Sequence, residues 1–227
     1  MSEKERRFQF YGRRKGKTLR PHHAKLIAEL LPQLQFDPAH FDFTRKPVRL
    51  EIGFGGGEHL AHQAELHRDI GFIGAEPFVN GVAKLLAFIE ARNLQNVSIH
   101  AGDVRELFDL LPAQSLERIY LLYPDPWPKA RHHRRRLVSP ENLKQFHRLL
   151  KPGGLFLFAS DIDHYVEWTL FEMRKVPGFT WLAESAGDWR QPFPDWVETR
   201  YEAKAKREGR MPSYLMFRKF PLPVGEG

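Results

Sequence analysis

Val48-Arg49-Leu50-Glu51-Ile52-Gly53-Phe54-Gly55-Gly56-Gly57-Glu58 is the stretch from which the fold is read. Residues 48–52 have the pattern of a strand and Glu58–Leu66 that of a helix, so the glycines join a first strand to a first helix. Working outward, the alternation repeats. Strands are expected at Gly71–Ala75, Val97–His100, residues 119–122 and residues 155–159, and helices at Val79–Arg92, residues 104–110, 141–150 and 164–174. Lys151-Pro152-Gly153-Gly154 is expected as a sharp turn into the fifth strand. This rhythm predicts an α/β fold, a parallel sheet with helices on both faces and right-handed crossovers. Two more strand patterns, 179–182 and 214–217, leave no room for an ordinary crossover helix between them, so the last strand is expected to insert antiparallel.

A chain of 227 residues can bury one sizeable core and is short for two. Residues 1–20 mix Arg, Lys, Gly and aromatics without periodicity and are expected to form a flexible basic arm. Residues 21–227 are then a single domain, opening on a helix over 21–31 that stops near Pro32. A long polar segment, about residues 186–212, is expected to be a substrate-binding insertion, because long loops in compact domains are usually functional. The formal net charge is +7 and the pI about 9.7, and the cations are clustered at Arg6-Arg7, Arg13 to Lys17, Arg131 to Arg136 and Lys204 to Arg207. Such patches suit a nucleic acid, and no amphipathic helix with a clean apolar face accompanies them to favour a membrane. The absence of cysteine excludes disulfides and thiolate metal sites. His132 and His133 are adjacent and face different ways in regular structure, so no metal site is expected. With no apolar leader and no run near the roughly 20 residues of a membrane span, the expected compartment is the cytoplasm.

Glycines after a first strand let the backbone approach a nucleotide-like cofactor closely. The dinucleotide fingerprint is incomplete here, since the third glycine position holds Glu58 or Leu60. An acid at the helix start disfavours a pyrophosphate, which prefers the positive end of the helix dipole. S-adenosylmethionine fits better: Glu51 can favour its cationic methionine tail, Glu76 can accept from both ribose hydroxyls, and Asp103 is placed to meet the adenine amino group. As alternatives, Glu76 and Asp103 are capping acids and the glycines an ordinary turn.

The fourth strand pattern runs into Tyr123-Pro124-Asp125-Pro126-Trp127-Pro128-Lys129, followed by Arg131-His132-His133-Arg134-Arg135-Arg136. Three prolines stiffen the turn, and Asp125 emerges at the strand's carboxyl end, where open α/β sheets bind ligands.

These motifs, with Gly74-Ala75-Glu76-Pro77, Lys151-Pro152-Gly153-Gly154, Ser160-Asp161 and Thr199-Arg200-Tyr201-Glu202, resemble those of the tRNA guanine-N7-methyltransferase family, bacterial single-subunit type. The glycine loop and the Lys-Pro-Gly-Gly turn occur across SAM enzymes, whereas the proline run and the Thr-Arg-Tyr-Glu element carry the specificity. The resemblance implies a Rossmann-like class I SAM-dependent methyltransferase fold with a seven-stranded sheet. It implies methyl transfer to N7 of a guanosine in the tRNA variable loop, giving 7-methylguanosine, with tRNA as partner and no obligatory protein partner. By the same resemblance Glu51, Gly53, Gly55, Glu76 and Asp103 contact SAM, and Asp125 borders that site as the catalytic residue. Lys129, Asp161, Thr199, Arg200, Tyr201 and Glu202 are implied to meet substrate.

Guanine N7 has a lone pair and no proton, so positioning should dominate over proton transfer. Asp125 either stabilises the positive charge that develops on the base or binds the guanine N1 and N2 donors. Trp127 either stacks on the base or packs the loop. Arg134 to Arg136 are expected on phosphate, and Thr199 with Glu202 also has the spacing of a capping box.

Overall fold

The computed structural model describes residues 11–220; the first ten residues of the expected basic arm, and residues 221–227, lie outside the described residues. Seven strands form a mixed, mostly parallel sheet in the order β3-β2-β1-β4-β5-β7-β6. The chain clusters into two compact units, described in turn: residues up to Leu111 with Asp195–Arg200, and Pro112–Pro194 with the residues from Tyr201 on.

In the first unit β1 (Val48–Ile52) pairs in parallel with β2 (Gly71–Ala75), and β2 with β3 (Val97–His100). All residues of β1 and β2 are buried, as expected of parallel strands covered on both faces. The helices are α1 (Pro21–Glu29), α2 (Leu31–Leu34), α3 (Glu58–Leu66), α4 (Val79–Arg92) and α5 (Arg105–Phe108). Helix α4 buries Val82, Leu85, Leu86 and Ile89, a 3.6-residue stripe, against Leu60, Ala61 and Ala64 of α3 and Phe72 and Ile99 of the strands. Each large aliphatic side chain there stabilises the fold by about 1.5–3 kcal/mol. The α4 stripe ends at Asn93, left-handed at φ 48°, the conformation that closes helices at their C-termini. Helix α1 ends before Leu30, and Pro32 lies in the first turn of α2, where its missing N–H costs no helical bond.

In the second unit β4 (Leu116–Leu122) runs parallel to β5 (Leu150–Ser160). β7 (Ser213–Lys219) lies antiparallel between β5 and the edge strand β6 (Phe179–Trp181), so the last strand inserts antiparallel as expected. The Lys151–Gly154 segment is a bulge inside β5 rather than a turn before it: Leu116 pairs with Leu150 but Arg118 with Leu155. Helix α6 (Pro140–Leu149) is capped by Ser139, whose hydroxyl accepts from the Asn142 N–H, and starts on a proline whose φ is already helical. Helix α7 (Asp163–Met173) follows β5, and α8 (Arg200–Arg207) precedes β7.

Candidate active site

Glu51, the penultimate residue of β1, lies in the interior, 3% exposed, and its carboxylate meets His59 Nδ1 of α3 at 2.6 Å. The sequence placed Glu51 beside a cationic tail; its immediate partner is an imidazole that packs on Trp196, ring centroids 5.1 Å apart. The loop leaves β1 through Gly53, whose N–H donates to the Ala75 carbonyl at 2.8 Å. Gly55, at φ 56°, then turns its N–H onto Glu76 Oε2 at 2.8 Å, while Glu76 Oε1 accepts from the Phe78 N–H at 2.9 Å. Glu76 thereby holds the glycine loop and the start of α4 together. An ionised carboxylate only accepts, with about four lone-pair sites over its two oxygens. Helix α4 approaches so closely that a side chain at Gly81 would collide with the Gly55 carbonyl. Space beside Gly53 is open, with nothing within 4 Å of where a Cβ would stand.

Glu58 opens α3, but Arg200 pairs with it through both Nε, at 2.7 Å, and Nη2. The guanidinium lies against Gly56, where a methyl group would strike it. The acid at the helix start is therefore not unpaired: its charge is met by Arg200, which weakens the argument that it disfavours a phosphate. Asp103, after β3, is buried and held by the Arg105 side chain, Nε to Oδ1 at 2.9 Å and Nη2 to Oδ2 at 2.5 Å. Its Oδ1 also accepts from the Arg105 N–H, a local turn bond of the kind a capping acid makes. Beside the α4 start, Val79 N–H donates to the Arg14 carbonyl at 3.0 Å. Asn80 accepts from Gly16 N–H and donates to the Lys17 carbonyl, each at 2.7 Å.

In the second unit β4 delivers the chain into the proline turn, and Tyr123 N–H still donates to Ala159 of β5 at 2.7 Å. Tyr123 and Trp127 take φ of 50° and 42°, a region costly for large side chains and found where a site needs a particular geometry. Asp125 reaches solvent, yet the surrounding protein pushes its carboxyl above the usual range by desolvation, and it has no ion-pair partner among the described residues. Trp127 lies under the Arg135 guanidinium at 4.9 Å and edge-on to His132, so part of its surface is already in use. Lys129 stands exposed before a 3₁₀ helix, Ala130–Arg135, on which Arg131 and Arg134 are also exposed. Arg136, grouped by sequence with the phosphate contacts, is instead buried, 3% exposed.

Asp161 does not cap α7, whose N-cap is Ile162; it pairs with Arg210 Nε at 2.5 Å. Glu202 is 1% exposed and accepts from the Tyr214 hydroxyl at 2.8 Å and from Lys206 at 2.7 Å. The Tyr214 hydroxyl also lies beside that of Tyr123, and both phenols are pushed up, first by burial. Glu202, Tyr214 and Tyr123 thus link the Thr-Arg-Tyr-Glu element to the proline turn. Thr199 is buried, whereas Tyr201 is 45% exposed. His59, Tyr214, Arg210 and the buried role of Arg136 were not foreseen from sequence, because each acts on a partner that local patterning does not identify; Arg105, two residues from Asp103, was within reach of a local reading.

Parallel strands with loops and acids at their carboxyl ends, followed by an antiparallel β7, define the class: a Rossmann-like SAM-dependent methyltransferase fold. A SAM-dependent O-methyltransferase from Thermotoga maritima shares it, at a TM-score of 0.53 and 17% identity, over 91% of this chain and 68% of that one. A family model described as "Putative methyltransferase" matches residues 45–214. A tRNA (guanine-N(7)-)-methyltransferase of Ruegeria sp. (strain TM1040) is 54% identical over 223 residues, 92% of this chain and 87% of that protein. One of Ruegeria pomeroyi is 55% identical over 226 residues, 94% and 95% of the two chains. The chain belongs to the tRNA (guanine-N(7)-)-methyltransferase family.

Proposed function

We propose that this enzyme methylates N7 of a guanosine in the variable loop of tRNA, producing 7-methylguanosine with S-adenosylmethionine as donor. The observation that carries the reading is the 54% identity, over 92% of the chain, to a relative named for guanine-N7 methylation of tRNA; the variable loop is what the motif resemblance implies. Lys129, Arg131 and Arg134, exposed on the segment that follows Asp125 in the chain, support it, because an RNA substrate is held largely through its phosphates. No helix among the described residues is long and apolar enough to cross a membrane. We read the compartment as the cytoplasm, where unmodified tRNA is met.

The residues present suit the cofactor. The loop at Gly53 faces open space, and Glu51, Glu76 and Asp103 put three buried carboxylates, all acceptors, at or just after the ends of neighbouring strands. When bound, SAM supplies a methyl group on a sulfonium, so the C–S bond breaks, its electrons staying on sulfur, as the lone pair of N7 forms the new C–N bond. No proton moves in that step. Asp125 is assigned as the catalytic residue, either stabilising the positive purine or binding its N1 and N2 edge. Desolvation strengthens both interactions once the acid is ionised. Lys129, Asp161 and Thr199 through Glu202 are assigned to the tRNA side, the last four of them within a substrate-binding segment over about 186–212. Given their bonds to Arg210 and Tyr214, Asp161 and Glu202 act at least partly by shaping that side.

The test is incubation of the purified enzyme with SAM and unmodified tRNA, followed by nucleoside analysis and borohydride–aniline cleavage to map the site. Formation of 7-methylguanosine in the variable loop is expected. Methylation at another base, or of ribosomal RNA only, overturns the reading.

A further inference from the structure

Arg136 follows the 3₁₀ helix that carries the basic run, yet its side chain turns inward. Its Nε donates to the Pro126 carbonyl at 2.9 Å, and Nη2 donates to His164 Nδ1 at 2.9 Å. A guanidinium has only donors, so the imidazole nitrogen is the acceptor. The guanidinium carbon lies 4.9 Å from the ring centres of both Tyr165 and Trp168. Trp168 is itself fixed by donating to the Val138 carbonyl at 2.8 Å, and His133 packs on His164 and Trp168, each pair of rings 5.2 Å apart. Arg136 is thus a cation enclosed by aromatic and imidazole rings, with no carboxylate partner among the described residues and a buried Nη1 that has no hydrogen-bond partner among them.

Burying a cation without a counter-ion is costly, and contacts to two aromatic faces offset only part of that cost. A phosphate contact needs no such burial; a lysine or arginine in solvent serves it. What Arg136 does touch is the Pro126 carbonyl, one residue beyond Asp125, in a turn whose prolines leave it few ladder bonds and whose Tyr123 and Trp127 hold positive φ. A strained turn persists only where the surroundings over-determine it. We propose that Arg136 is a positioning residue that fixes the Tyr123-to-Lys129 turn, and through it Asp125, and that it makes no contact with RNA. Its consequence for rate rests on the assignment of Asp125 to the methyl transfer; its effect on the turn does not.

The full-length chain carrying Arg136→Lys tests this, since lysine keeps the charge but lacks the fork that reaches carbonyl and imidazole together. Three readouts are needed: amide hydrogen exchange of the peptide spanning residues 123–129, single-turnover methyl transfer at saturating tRNA and SAM, and the salt dependence of tRNA affinity. Arg134→Ala supplies the reference slope for losing one exposed cation. The expected result for Arg136→Lys is faster exchange in the turn, a rate lower by roughly 10- to 100-fold, and an unchanged salt slope. An unaltered exchange pattern, or a slope reduced as far as in Arg134→Ala by replacing Arg136 with methionine, overturns the proposal. If Asp125→Ala keeps a normal rate while Arg136→Lys loosens the turn, the assignment of Asp125 fails and the positioning role stands. Should Arg136→Lys not fold, His164→Leu removes one acceptor and must show the same split; normal exchange and rate there also overturn the inference.

Discussion

The Glu76 carboxylate accepts the Gly55 N–H at 2.8 Å, so the acid proposed for the ribose also holds the glycine loop. The loss of Glu76 therefore acts twice. Glu76→Ala is expected to cost about 1.5–3 kcal/mol of SAM affinity and to lower the melting temperature of the free enzyme, since the Gly55 and Phe78 donors lose their partner. Calorimetric titration with SAM and a thermal scan measure the two effects. Unchanged SAM affinity would remove Glu76 from the cofactor site.

Asp125 is expected to separate activity from stability. Asp125→Asn should lower the single-turnover rate about 10²- to 10³-fold, the effect of removing one preorganised electrostatic group. Burial raises its folded-state pKa above 3.8, so the ionised acid disfavours folding, and this loss grows as pH rises from the unfolded-state pKa through the folded one. The asparagine variant should then melt higher than wild type at pH 7, with the difference fading below about pH 4. A variant that melts lower at pH 7 would contradict the desolvation argument.

Glu202 and Tyr214 share one buried hydrogen bond, so their variants should not add. Tyr214→Phe is expected to cost about 0.5–1.5 kcal/mol of stability. Glu202→Ala takes one acceptor from both the Tyr214 hydroxyl and Lys206 and should cost more, and the double variant should fall short of the sum. Urea unfolding of the four proteins gives the coupling; strict additivity would show that the bond contributes nothing.

Affinity for tRNA should fall steeply with salt, each lost phosphate contact changing the log–log slope by about 0.7–0.9. Deleting residues 1–10 removes Arg6 and Arg7 and should flatten the slope without lowering the melting temperature. Deletion through Lys17 also takes away the chain that bonds Val79 and Asn80, and should lower the melting temperature as well. Equal melting temperatures for the two deletions would mean that those bonds carry no stability.

The elements were legible because their information is local. Strand periodicity, helical stripes and glycine or proline punctuation place β1 to β3, α3 and α4 at the bounds the structure has. The Lys151–Gly154 bulge was misread as a turn because proline and glycine mark both, and only the partner strand tells them apart. At the site, residue types and strand ends were readable, and partners were not.

The sequence by itself determined the alternating α/β order, the glycine loop after β1, the acid in the proline turn and the clustering of cations, since each follows from neighbours along the chain. Only the tertiary structure decided that Arg200 meets Glu58, 142 positions away, that Asp161 meets Arg210, 49 positions away, and that Arg136 turns inward to Pro126. Charge and residue type say what a side chain can bond. Which bond forms depends on where packing brings distant backbone, and on whether burial there is repaid by rings and carbonyls already in place.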